Sequence, residues 1–152
     1  MNRSQSPLDE VDRAIIERLQ RDGRIPYTRL GAAVGLSEAA VRQRVQRLLD
    51  AGIMQVVAVT NPLSIGYRRM AMIGVRLEGP SDEIAAALQA MPDIDYLVVT
   101  AGSFDLMAEV VVSDDQELLD LTNRIRRVPG VTSTETFIYL DLKKQTFTWG
   151  AH

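Results

Sequence analysis

The chain predicts an α+β protein of two small domains, a three-helix front followed by a β-α-β-β-α-β back, and three observations carry that expectation. Leu30 to Leu49 (LGAAVGLSEAAVRQRVQRLL) reads as a short helix, a glycine turn, a capping serine and a second helix rich in arginine and glutamine. Charge is partitioned: residues 1–61 hold nine arginines and no lysine against seven acids, a net of +2, and the remainder carries −5 to make the overall −3. Finally, Met91-Pro92-Asp93-Ile94 and Val128-Pro129-Gly130-Val131 lie 37 residues apart, each ending a helical pattern and starting a strand. With 152 residues there is room for two such units.

In order along the chain, Asp9 is a good N-cap for a first helix whose apolar residues Val11, Ile15, Ile16 and Leu19 recur at helical spacing until Gly23 stops it. Pro26 suits the first turn of a second helix, and Leu30, Ala33 and Val34 give it a buried side. Gly35 can take the positive φ that ends this helix, and Ser37 can accept the orphan N–H groups that open the third. Val41, Val45, Leu48 and Leu49 then share one side of the third helix. Gly52 closes it. The β-branched run Ile53 to Thr60 reads as a strand broken by Asn61-Pro62, so residues 1–61 form a winged helix-turn-helix whose strand leads into a second domain, 62–152.

The second domain is expected to hold strands Met70 to Glu78, Asp95 to Ala101, Leu106 to Val112 and Val131 to Leu140. Ser81 opens one helix, ahead of Ile84, Leu88 and Met91; Ser113, in a capping box with Gln116, opens the other, ahead of Leu118, Leu121 and Ile125. That order is the split βαβ, or ferredoxin-like, arrangement. Both helices then lie on one side of the sheet. In the last strand one face reads Val131, Ser133, Glu135, Phe137, Tyr139 and the other Thr132, Thr134, Thr136, Ile138, Leu140, neither wholly polar. A half-apolar open face points to a partner, and a symmetric dimer is the expectation.

The third helix is where chemistry concentrates. Opposite its buried side stand Ala39, Gln43, Gln46 and Arg47, with Arg42 at the margin. Gln and Arg pair with base edges and phosphates, and Ala39 is small enough for close approach to the groove floor of double-stranded DNA. Ser37 lies near a phosphate in this reading, while Arg44, nearer the buried side, braces the motif or reaches the DNA backbone. The plain alternative is a solvated amphipathic helix, and the basic front on an acidic body argues against it.

Other classes fare worse. There are no cysteines, and the only histidine is His152, which removes disulfides, thiolate metal sites and histidine-based triads. The carboxylates Asp82, Glu83, Asp114 and Asp115 sit at helix starts, where they suit the macrodipole, so no catalytic constellation emerges. No apolar run reaches the roughly 18 residues of a membrane span, and the first ten residues lack a signal peptide's hydrophobic segment. A cytoplasmic protein without metal or cofactor is expected.

Taken together, these residues resemble the Lrp/AsnC family of leucine-responsive and asparagine-type transcriptional regulators over nearly the whole chain. The resemblance is carried in front by Leu8-Asp9, Asp12, Asp22-Gly23-Arg24, Gly35-Leu36-Ser37, Arg44-Val45, Arg47-Leu48, Gly52-Ile53 and Asn61-Pro62, and behind by the turn Gly102-Ser103-Phe104-Asp105 and Pro129-Gly130-Val131. Leu49 stands where the family often has glutamate, and Phe104 where it usually has tyrosine; the tail ending Phe147-Thr148-Trp149-Gly150 follows no family pattern. The resemblance implies a prokaryotic, nucleoid-associated regulator that binds DNA as dimers assembled into larger rings, commonly octamers. It also implies an amino-acid effector held at subunit interfaces near the turn and the last strand, at Thr100, Gly102, Ser103, Asp105, Thr134 and Thr136.

A zwitterion needs an anion for its ammonium and donors for its carboxylate. Asp105 can supply the first, and the Gly102–Ser103 backbone with the threonines the second. Phe104 makes the wall apolar and favours an apolar or aromatic effector. Equally, Asp105 can simply close a turn through backbone bonds, and Thr134 and Thr136 can be ordinary strand formers. An architectural DNA-binding protein without effector is the alternative function.

Overall fold

A computed structural model describes residues 8–149 and 151. The readings that rest on the first residues and on His152 fall, in residues 1–7 and 152, outside the described residues. The chain separates into two compact units, one running to Val59 and taking in the tail from Lys144, the other spanning Thr60–Lys143. The sequence reading divides the chain after residue 61 and counts the tail with the second domain, whereas the first unit takes in the tail from Lys144.

In the front unit, α1 (Glu10–Arg21), α2 (Tyr27–Val34) and α3 (Glu38–Asp50) follow the sequence reading. Asp9 caps α1 through the Asp12 N–H at 2.7 Å while the Asp12 side chain reaches back to the Asp9 N–H, a capping box built on two aspartates. Gly35 ends α2 at φ 72°, and the Ser37 hydroxyl accepts from the Ala40 N–H at 3.2 Å to begin α3. Ile15, Leu30, Val41, Val45 and Leu48 are sealed in the shared core. Each such burial contributes about 1.5–3 kcal/mol relative to exposure, which is what holds three short helices together.

The linking strand does not form. Ile53 to Thr60 is extended in sequence propensity, yet no strand exists there and Val56, Val57 and Val59 are exposed. A strand needs a ladder partner as well as β-branched residues, and the described chain offers this segment none. The front is therefore a helix-turn-helix without a wing. A single 3-10 turn follows at Pro62–Ser64, capped where Asn61 accepts from the Leu63 N–H at 3.0 Å.

The back unit runs β1 (Arg69–Leu77), α4 (Ser81–Gln89), β2 (Ile94–Val99), β3 (Leu106–Val112), α5 (Asp115–Arg126) and β4 (Val131–Ile138). The sheet order is β2-β3-β1-β4, every pair antiparallel. Strict alternation in β3 buries Leu106, Ala108, Val110 and Val112. Leu106, Val110 and Val112 pack with Ala71, Ile73 and Val75 of β1 against Ile84 and Leu88 of α4 and Leu118, Leu121 and Ile125 of α5. Both helices thus cover one face, and Met72, Gly74 and Arg76 of β1 fall by alternation on the other.

Two cap assignments shift by a residue. Asp114, not Ser113, caps α5, accepting from the Glu117 N–H at 2.9 Å, and Glu117 rather than Gln116 reaches back to the Ser113 N–H at 2.5 Å. Aspartate outcompetes serine because its charge also complements the helix dipole. Ser81 is the first residue of α4, behind Pro80 at the N-cap, whose side chain accepts no capping hydrogen bond. Among the described residues no helix is long and apolar enough to cross a membrane.

Candidate nucleic-acid interface and effector turn

The reading helix is fixed by a buried carboxylate. Asp12 on α1 has a side chain only 2% exposed, and it takes two arginines of α3: Arg44 Nη1 donates to Oδ1 at 2.8 Å and Arg47 Nη2 to Oδ2 at 2.5 Å. Arg44 Nη1 also donates to Asp9 Oδ2 at 2.6 Å. The Asp12 N–H bond and then the Arg44 bond hold the Asp9 carboxyl below its usual range. A carboxylate out of water is tolerated only with such pairing, so α3 is tied to α1 at two points one helical turn apart. Arg44 is therefore a brace. Arg47, expected on the DNA-facing side, turns its guanidinium back to Asp12 with half its side chain still exposed.

What remains outward on α3 is a compact surface. Arg42 is held by Glu38 Oε1 at 2.8 Å and lies 5.2 Å above the Tyr27 ring, a cation–π contact that fixes its direction at the margin. Gln46 donates to Asp50 at 2.8 Å. Gln43 and Ala39 are exposed, and the Gln43 side chain makes no hydrogen bond with any described residue. Ser37 is exposed at the helix start, its hydroxyl oxygen already capping. Gln43 is accordingly the side chain with its full donor and acceptor set available to a base edge.

The turn at which an effector is expected joins β2 to β3. Thr100 closes it, its N–H donating to the Asp105 carbonyl at 2.9 Å and its hydroxyl to the Phe104 carbonyl at 2.5 Å. The Asp105 N–H donates to the Val75 carbonyl at 3.0 Å, and Asp105 Oδ2 accepts the Leu77 N–H at 2.7 Å, a carboxylate standing in for the next ladder carbonyl. The Phe104 ring lies flat on Gly74, where a Cβ would come within 2.6 Å of it, and meets Phe137 edge-on at 6.0 Å. Arg76 caps that ring at 5.2 Å and donates from Nε to the Ser103 carbonyl at 2.9 Å. At Gly102 a Cβ meets nothing within 4 Å and φ is not positive, so the glycine leaves space and relieves no strain.

Thr100, Gly102, Ser103 and Asp105 therefore gather at one turn, as expected. Thr134 and Thr136 do not join them within one chain. They stand opposite Val75 and Ile73 on the helix-covered face, and Thr134 accepts from Arg126 Nε on α5 at 2.7 Å, while Phe104 lies on the other face. The sequence reading missed Arg76 and Phe137. A lone cation in the apolar run Met70 to Leu77 was a signal for the first, but its meeting with the turn depends on β1–β3 register, which no local pattern encodes. No group of three His, Cys, Asp or Glu side chains among the described residues is placed to hold a metal.

A braced helix-turn-helix joined to a ferredoxin-like unit with a side-chain-lined turn defines the class: a DNA-binding transcriptional regulator carrying a ligand-binding domain. Residues 8–49 match the AsnC-type helix-turn-helix domain and residues 70–149 the Lrp/AsnC ligand binding domain. The chain belongs to the Lrp/AsnC family of transcriptional regulators, and is not an enzyme. It is 32% identical over 141 residues to the HTH-type transcriptional regulator FL11 of Pyrococcus furiosus, covering 91% of this chain and 93% of that one. Its fold is similar to that of the leucine response regulatory protein LrpA of Mycobacterium tuberculosis, with a TM-score of 0.82 and 31% identity over 91% of this chain and 96% of that one. A transcriptional regulator of Neisseria meningitidis, solved as an L-Met complex, shares the fold at a TM-score of 0.81 and 24% identity, over 93% of this chain and 96% of that one.

Proposed function

We propose that the protein is a sequence-specific DNA-binding regulator whose back unit responds to an α-amino acid, or a close analogue, bound between subunits. The observation that carries the DNA reading is the Asp12 strut: two arginines of α3 are tied down, and Ala39, Arg42, Gln43 and Gln46 are left outward on a rigid helix. Arg42 and the free edge of Arg47 serve as phosphate contacts, Gln43 as the base reader, and Ser37 lies beside a phosphate at the helix start. The effector reading is supported by the exposed Asp105 carboxylate at the turn and by the L-Met bound to the Neisseria relative of the same fold.

In this reading the open sheet face, with Phe137 and Tyr96 exposed on it, joins two chains, and dimers assemble into a larger ring, with an octamer as the expected size. The two reading helices then meet half-sites about one helical turn apart, or a multiple, on a roughly palindromic operator. The protein works in the prokaryotic cytoplasm on the nucleoid. Thr134 and Thr136 contribute to the pocket only from a neighbouring subunit.

Selecting preferred DNA from a random pool, then measuring affinity for the selected and a scrambled duplex with and without each common amino acid, tests the whole proposal. A preference for the selected site that an amino acid shifts supports it. Equal binding to both duplexes, unmoved by any amino acid, supports the architectural alternative.

A further inference from the structure

Arg76 and Asp105 are opposite charges anchored to the same turn, yet they do not pair. Arg76 Nε donates to the Ser103 carbonyl, and Asp105 Oδ2 accepts from the N–H of Leu77, the very next residue after Arg76. No ion pair within 4.0 Å joins either of them to any described residue. Both are exposed. Arg44 and Arg47 close on Asp12 and Arg69 on Asp115, whereas Arg76 and Asp105 each bond backbone.

The geometry explains why it stays open. The β1–β4 register shifts between Arg76 and Leu77, a bulge of the kind that re-aims side chains beside functional sites. Arg76 is drawn over the Phe104 ring and pinned through Nε, which leaves the two terminal nitrogens of its fork unbonded and oriented. Asp105 is pinned through one oxygen and keeps the other. An α-amino acid carries its ammonium and carboxylate on one carbon, and is the kind of molecule that satisfies both charges at once.

Resting on the amino-acid reading above, we propose that Arg76 is the carboxylate-binding residue of the effector site. Its Nη1 and Nη2 take the effector carboxylate as a bidentate pair and Asp105 takes the ammonium, while the Phe104 ring beneath Arg76 keeps the surroundings apolar. This replaces the Gly102–Ser103 backbone in the role the sequence suggested for it, since the Ser103 carbonyl serves to orient Arg76. Ligands of this site are α-amino acids with apolar or aromatic side chains and a free carboxylate.

The test is calorimetric titration of the full-length protein with L-methionine, L-leucine and L-phenylalanine, and with the amide of each, which keeps the ammonium and loses the carboxylate. The parent is expected to bind an acid about tenfold or more tightly than its amide. Arg76→Gln should lose that ratio by weakening the acid alone, and Arg76→Lys should recover part of it. Equal affinity of parent for acid and amide overturns the assignment without any variant, as does an Arg76→Gln protein that keeps the parent's ratio. If Asp105→Asn abolishes binding while Arg76→Gln changes nothing, the amino-acid reading stands and this inference fails. If none of the common amino acids binds the parent, both fall.

Discussion

Asp12 and Asp105 are the two carboxylates around which the molecule's two surfaces are organised, and they are used in opposite ways. Asp12 is buried, and each of its oxygens is taken by an arginine of the reading helix. Asp105 is exposed and its side chain bonds only backbone, with Arg76, which is anchored to the same turn, held by a carbonyl and an aromatic ring. In the proposed function each unit is prepared for a different ligand. DNA is a large polyanion that meets a rigid surface, so the front unit spends charge internally to fix one helix. A small zwitterion needs charges that are oriented and unspent, and the back unit keeps a pair of them apart.

The comparison breaks most visibly at Asp12. Asp12→Ala removes the shared anchor of Arg47 and of Arg44, which keeps Asp9, and should cost the front unit about 2–4 kcal/mol, the loss of two charge-assisted hydrogen bonds discounted for the arginines' exposure. Hydrogen exchange read separately for the two units should show that loss in α1 to α3 and none in β1 to β4. Equal loss in both units would mean that Asp12 supports something other than the front core.

A smaller effect is expected at Gln43, which no described residue engages. Gln43→Ala should lower affinity for the selected duplex by about 1–3 kcal/mol and leave the scrambled duplex nearly unchanged, as fluorescence anisotropy would report. A uniform loss on both would turn Gln43 into a backbone contact and weaken the case for sequence readout.

The smallest expected effect is a divergence with pH. Asp9 has its pKa lowered in the fold, so its contribution is present above the ordinary value of 3.8 and is lost as pH falls through the depressed one. Asp95 behaves oppositely: burial, then Glu109 and Asp93, raise its pKa, so the folded back unit binds that proton more readily than the unfolded chain does. Between the raised value and 3.8 the back unit should gain stability as pH falls, and the front should weaken only below that window. Asp95→Asn should remove the gain and Asp9→Asn the loss, both measured by the same exchange experiment.

Much of the architecture was legible because it is local. Ser37, Gly35 and the spacing of Val41, Val45 and Leu48 specify the turn and buried side of α3 with no information from elsewhere, and the paired turns before Ile94 and Val131 located both crossover points of the sheet. The run Ile53 to Thr60 misled because β-branched residues state a preference that only a neighbouring strand can satisfy. Arg47 misled for a related reason. Helical phase put it on the outward side, but its long side chain reaches a partner 35 residues away on α1. Thr134 and Thr136 could be assigned to the turn only by analogy, since the face each occupies follows from its register against Val75 and Ile73.

Under the proposed function Asp12 is held for structure and Asp105 for a ligand, and the most direct measurement is the thermal midpoint of Asp105→Asn with and without an amino acid that shifts the parent. Asparagine keeps an oxygen for the Leu77 N–H, so the unliganded variant should melt within about 1 kcal/mol of the parent. Its DNA affinity without effector should be unchanged, and the ligand-induced rise in midpoint should be gone. A variant that melts early yet still responds to the amino acid as the parent does would make Asp105 a turn former and contradict the account.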